Sequence, residues 1–129
     1  MLCIDHVHHV AIICSDYQAS KKFYTEVLGL TIVRENYRAE RKSYKLDLQL
    51  SDQYIIELFS FPNPPKRVSR PEACGLRHLA FVVSDLDRSL RELEEKGVVA
   101  EPIRTDEYTG KRFTFFSDPD HLPIELYEK

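Results

Sequence analysis

An α+β fold made of one β-α-β-β-β unit used twice is predicted by three features of the sequence. His9-Val10-Ala11-Ile12-Ile13-Cys14-Ser15-Asp16 recurs as His78-Leu79-Ala80-Phe81-Val82-Val83-Ser84-Asp85, offset by 69 positions. Ile56-Glu57-Leu58-Phe59 recurs as Ile124-Glu125-Leu126-Tyr127, offset by 68. Between the copies, Pro62-Asn63-Pro64-Pro65 through Arg70-Pro71 excludes regular structure, because proline removes backbone donors and restricts its predecessor. The 129 residues therefore make one domain, with a first module at about 5–61, a linker at 62–74 and a second module at 75–129.

Each element follows from its own pattern. Residues 7–14 carry apolar side chains on both faces, with His9, Ala11 and Ile13 on one and Val10, Ile12 and Cys14 on the other, as in a strand buried on two sides. Ser15-Asp16 supplies helix-capping oxygens. Ala19, Phe23, Val27 and Leu28 then keep helical spacing until Gly29. Thr31-Ile32-Val33 opens a second strand. Tyr44, Leu46, Leu48 and Leu50 alternate with Lys45, Asp47 and Gln49, which predicts a strand with one solvated face. Ser51-Asp52-Gln53 turns the chain into the strand carrying Glu57.

The order then repeats. A strand at 77–83 is capped by Ser84-Asp85, and Leu86, Leu90 and Leu93 mark a helix that stops at Gly97. Strands are expected at 98–104, 112–116 and 122–127, with Asp118-Pro119-Asp120 as the last turn. The Glu and Arg residues on the second helix form a solvated face.

Composition narrows the class of function. Hydrophobic residues make up 43% of the chain and charged ones 30%, as in an ordinary globular protein. Eighteen Lys and Arg against 21 Asp and Glu leave a net charge of −3, which favours neither nucleic acid nor a membrane surface. No apolar run approaches the roughly 20 residues of a membrane span, and the first residues lack the pattern of a signal peptide. Three cysteines in dissimilar settings do not form a disulfide framework. A cytoplasmic protein is expected.

Each half contributes one His at the start of its first strand and one Glu within its last. Two neutral imidazoles and two carboxylates balance a divalent cation, and the absence of thiolates argues against a structural zinc site. Four N and O ligands on strands leave one or two coordination positions open, as catalytic sites do. The expected ligands are His9, Glu57, His78 and Glu125. Ni²⁺, Zn²⁺, Co²⁺, Mn²⁺ and Fe²⁺ all suit such donors. A single strand histidine is more often a satisfied surface or core residue; the two matched offsets are what single out this set. His8 is expected on the opposite side of its strand from His9, His6 has no counterpart in the second half, and His121 fits a turn.

The His9 strand, Phe23-Tyr24-Thr25-Glu26-Val27-Leu28-Gly29-Leu30, Glu57, the His78 strand and Asp118-Pro119-Asp120 leading to Ile124-Glu125-Leu126 together resemble the vicinal oxygen chelate superfamily, on its glyoxalase I-like branch. The resemblance covers nearly the whole chain. It implies a curved eight-stranded mixed sheet around one divalent metal, Ni²⁺ or Zn²⁺ foremost, held by His9, Glu57, His78 and Glu125. It also implies a homodimer and a small-molecule substrate chelated through two adjacent oxygens. The implied activity is that of a metal-dependent lyase, isomerase or epimerase that moves a proton next to a carbonyl, with Glu125 as base and Glu57 as the alternative. Fosfomycin-type thiol transfer, Fe²⁺ dioxygenation and non-enzymatic binding are the superfamily's other options.

One departure bears on substrate. Glyoxalase I proteins of bacterial type tend to carry Arg four residues after the first His and Asn four after the first Glu, as glutathione contacts. Here those positions hold Ile13 and Phe61. Arg38 through Lys42 and Arg104 through Arg112 could supply cations for a different anionic substrate, although their plainer reading is exposed loop charge.

Overall fold

The alternating run ended by Ser15-Asp16 forms β1 (Val10–Cys14) in the computed structural model, which describes residues Met1–Lys129. The chain divides into two compact units, Met1–Pro65 and Lys66–Lys129. No helix is long and apolar enough to cross a membrane.

In the first unit the Asp16 carboxylate accepts from the Ala19 amide and starts α1 (Tyr17–Lys22). The apolar spacing predicted one continuous helix here. Instead, residues Phe23–Val27 widen into a π turn. The Thr25 hydroxyl donates to the Lys21 carbonyl at 2.7 Å, taking the acceptor that the Thr25 amide would use in an α-helix. The ladder then continues one residue wider, as Leu28 N–H donates to the Phe23 carbonyl at 3.1 Å. Gly29, at φ 75°, releases the chain into β2 (Thr31–Arg38), followed by β3 (Ser43–Leu50) and β4 (Gln53–Ser60).

The strands order as β1-β4-β3-β2, with β1 and β4 parallel and the other neighbours antiparallel. Leu46, Leu48, Ile56 and Leu58 are fully buried on the sheet, and the helical segment buries Tyr17, Ser20, Phe23 and Tyr24. Each such aliphatic side chain contributes about 1.5–3 kcal/mol by leaving water.

The second unit repeats the plan. β5 (Leu79–Val83) leads to α2 (Leu86–Glu95), whose first turn is capped by the Asp85 carboxylate accepting from the Arg88 amide at 2.9 Å. β6 (Arg104–Thr105), β7 (Arg112–Ser117) and β8 (Pro123–Glu128) complete a sheet ordered β5-β8-β7-β6, with β5 and β8 parallel. The Asp118 carboxylate accepts from the Asp120 and Leu122 amides, both at 2.8 Å, and so fixes the turn that feeds β8. Leu86, Leu93, Phe116, Ile124 and Leu126 form the buried face.

Three details differ from the expectations of pattern alone. The strand expected at 98–104 shrinks to Arg104–Thr105. Pro102 cannot donate, and the segment is instead tied to β7 by Glu101 N–H on the Phe115 carbonyl and by the Thr114 hydroxyl on the Glu101 carbonyl. β1 is covered on one face rather than two: Ile12 and Cys14 are buried, while Ile13 is 56% exposed. Thirdly, the face of β3 expected to be solvated holds Asp47 fully buried.

Candidate metal centre

Parallel pairing sets the first histidine–glutamate pair. Ala11 of β1 lies opposite Glu57 of β4, and His9, just before the strand begins, reaches the Glu57 carboxylate. His9 Nε2 and Glu57 Oε2 are in direct contact, and the Glu57 side chain is only 11% exposed. The His9 ring stacks on Tyr54, with centroids 5.7 Å apart. Its Nδ1 lies 2.8 Å from Nδ1 of His8. Strand alternation had placed His8 on the other side; β1 begins only at Val10, so residues 8 and 9 are free of that alternation. The contact orients the His9 ring.

The second pair has the same register. Ala80 lies opposite Glu125, and His78 Nε2 stands 3.0 Å from Glu125 Oε2. The Glu125 side chain is 12% exposed. The His78 ring makes a T-shaped contact, centroids 5.1 Å apart, with Phe115, the residue beside Glu125 on β7.

The surroundings of the two carboxylates differ. Beside Glu57 on β3 is Asp47, whose side chain is 1% exposed and is paired with Lys45 at 2.9 Å and Arg34 at 3.3 Å. Lys45 also reaches Glu57 Oε1 at 3.3 Å. Burial pushes the Asp47 pKa up, but Lys45, Tyr54 and Arg34 outweigh it and hold the carboxyl below its ordinary value. The hydrogen bond to Asp47, against burial and with help from Glu57, raises the Lys45 pKa, so this ammonium is a fixed charge. The buried Tyr54 hydroxyl faces Asp47 without reaching hydrogen-bonding geometry, and burial foremost pushes its pKa up. In the second module the register positions of Lys45 and Asp47 hold Phe113 and Phe115.

Imidazole nitrogen and carboxylate oxygen, the donors that each pair presents, are of the type that suits a divalent cation of borderline character. Within neither module does a third His, Cys, Asp or Glu complete a metal-holding group, so each pair supplies two donors. His121 sits in the last turn at φ 66°, and His6 lies in the exposed segment before β1.

Among the cations expected from sequence, the Arg38 guanidinium lies over Phe59 at 5.0 Å and near Phe61 at 5.9 Å. Arg104 similarly covers Phe113 and Phe115. Arg112 is engaged by Glu128 and Asp87. Sequence reasoning missed the Arg34, Lys45, Asp47 and Tyr54 group. Its one signal was an acidic residue in mid-strand, two positions from a lysine and facing the Glu57 strand.

The defining pattern of the Glyoxalase/Bleomycin resistance protein/Dioxygenase superfamily matches residues 6–126. YwkD of Bacillus subtilis is 62% identical over 99% of this chain and 100% of its own length. YaeR of Escherichia coli is 60% identical over the full length of both chains. The crystal structure of the glyoxalase family protein from Enterococcus faecalis, 51% identical, superposes with a TM-score of 0.89 over 95% of this chain and 97% of that one. With this match over nearly its whole length, the chain belongs to the Glyoxalase/Bleomycin resistance protein/Dioxygenase superfamily.

Proposed function

We propose that the protein is a cytoplasmic, metal-dependent enzyme that moves a proton at a carbon next to a carbonyl group of a small substrate. His9, Glu57, His78 and Glu125 are the ligands of one divalent ion, Ni²⁺ or Zn²⁺ before Co²⁺, Mn²⁺ or Fe²⁺. The observation that carries the reading is the imidazole–carboxylate contact built twice, at equivalent registers, on carboxylates almost withdrawn from water. A carboxylate so placed is costly without a partner; Glu57 has Lys45 and His9 beside it, whereas Glu125 has only the His78 imidazole, a weak partner at neutral pH.

The bound ion supplies Lewis acidity toward the oxygens of the substrate. The chain's own residues do the rest. A Glu125 oxygen takes the proton from carbon and returns it to a neighbouring carbon or to the opposite face. Glu57 stays fixed, and Phe113 and Phe115 exclude water on the Glu125 side. Two more distant relatives carry names of this kind: a 2-epi-5-epi-valiolone epimerase of Actinomyces, 28% identical, and the lactoylglutathione lyase of Schizosaccharomyces pombe, 26% identical.

Purified protein is expected to hold a divalent metal by elemental analysis. His9→Ala and His78→Ala should each weaken its binding at least about 100-fold, the upper end of what outer-shell partners alone cost. A turnover screen with glutathione hemithioacetals, acyl-CoA epimers and fosfomycin distinguishes proton transfer from thiol transfer. Full metal affinity in both alanine variants would overturn the ligand assignment.

A homodimer belongs to the same proposal. Ile13 at 56% exposure and Val82 at 67% leave apolar surface open on the faces that carry the His–Glu pairs. Sedimentation at micromolar concentration should give twice the 15.1 kDa mass of the chain. A monomer with metal bound would count against it.

A further inference from the structure

We infer that Lys45, anchored by buried Asp47, is a positioning residue that locks Glu57 in place and presents only its Oε2 oxygen to the metal. The inference rests on the metal reading above. Three observations support it. Lys45 Nζ bridges Asp47 Oδ1 at 2.9 Å and Glu57 Oε1 at 3.3 Å, so one oxygen of Glu57 is engaged away from His9. Asp47 cannot swing aside, because its side chain is 1% exposed and its other oxygen is held by Arg34 Nε at 3.3 Å. Glu57 Oε2, the oxygen left over, is the one in contact with His9 Nε2.

The second module has no such clamp. Phe113 and Phe115 stand where Lys45 and Asp47 stand in the first, and His78 is the sole ion-pair partner of Glu125. The two glutamates therefore differ in freedom. Glu57 is a static ligand, and Glu125 can turn on its side-chain torsions without breaking a salt bridge to a lysine. This asymmetry divides the roles: the held carboxylate keeps the metal, and the unheld one carries the proton.

Removing Lys45 alone would also remove its repulsion of a bound cation, and the two effects oppose one another. The cleaner probe is the charge-neutral double replacement K45M/D47L, which places apolar side chains where the second module already has them. Replacing a buried pair as a unit is often tolerated, whereas leaving one partner is not. Co²⁺ titration followed by visible absorption reads both affinity and ligand geometry. K45M/D47L should bind Co²⁺ about 10–100-fold more weakly than wild type, the range for lost outer-shell partners, with a changed band shape. Lys45→Met should change the band shape, and Lys45→Arg should keep that of wild type. An unchanged spectrum and affinity in K45M/D47L and Lys45→Met, with wild type binding normally, would overturn the clamp alone. Failure of the wild-type protein to bind Co²⁺ would overturn the metal reading and the clamp with it.

Discussion

Glu125→Gln is expected to lower turnover of the substrate found by screening about 10²–10⁴-fold, the contribution of a positioned general base. At about 1.36 kcal/mol per decade this is roughly 3–5 kcal/mol of transition-state stabilisation. Gln keeps a carbonyl oxygen at the position of Oε2 but cannot accept a proton at neutral pH, so turnover should fall even when excess metal offsets the weaker neutral ligand. Glu57→Gln should behave differently: its main effect should be weaker metal binding, since Lys45 and His9 hold that carboxylate on both sides. Steady-state kcat together with elemental analysis separates the two variants. Wild-type turnover in metal-loaded Glu125→Gln, with turnover lost in metal-loaded Glu57→Gln, would move the base to Glu57.

The contrast between the two glutamates was only half visible in the sequence. Their equivalence was legible, because the repeat around His9 and His78 and the repeat around Glu57 and Glu125 fall at nearly equal offsets. Period-2 alternation also places Glu57 on a face shared with Ile55 and Phe59. Their difference was not legible, because it is made across strands. Asp47 becomes a neighbour of Glu57, and Phe115 a neighbour of Glu125, only once β3 pairs with β4 and β7 with β8. Read along its own strand, Lys45-Leu46-Asp47-Leu48-Gln49 is the ordinary signature of a half-wet sheet.

Two other departures come from single residues inside or beside the segment. The segment 98–104 reads as a strand until Pro102 and the side-chain bond from Thr114 are taken into account. The Phe23–Val27 segment has helical spacing, but a threonine hydroxyl competes for the carbonyl that sets the ladder. Capping was the most reliable local signal. Asp16 and Asp85 both accept from the amide three residues on, as their place after each first strand implies.

The metal-loaded protein should turn over the methylglyoxal–glutathione hemithioacetal poorly or not at all. The glutathione contacts implied by the family resemblance fall at Ile13 and Phe61, and neither side chain donates a hydrogen bond. Ile13 is exposed on β1, on the face that carries Ala11, and Phe61 stacks on Phe59 at 6.0 Å. A charge-assisted hydrogen bond contributes roughly 1.5–3 kcal/mol, so losing two weakens recognition by about 3–6 kcal/mol. At about 1.4 kcal/mol per tenfold, that is a factor of hundreds to tens of thousands in kcat/KM. Arg38 opposes this trend, since its guanidinium lies over Phe59 and near Phe61. Yet its Nη2 already donates to Ser43 Oγ at 2.9 Å and its Nε is buried, so it offers less than a free fork to a carboxylate. Replacing Ile13→Arg and Phe61→Asn together should raise hemithioacetal turnover by a measurable part of that factor. Robust isomerisation by the unmodified protein would show that glutathione is held through other groups, with Arg38 and Arg104 the first to test by substitution to methionine.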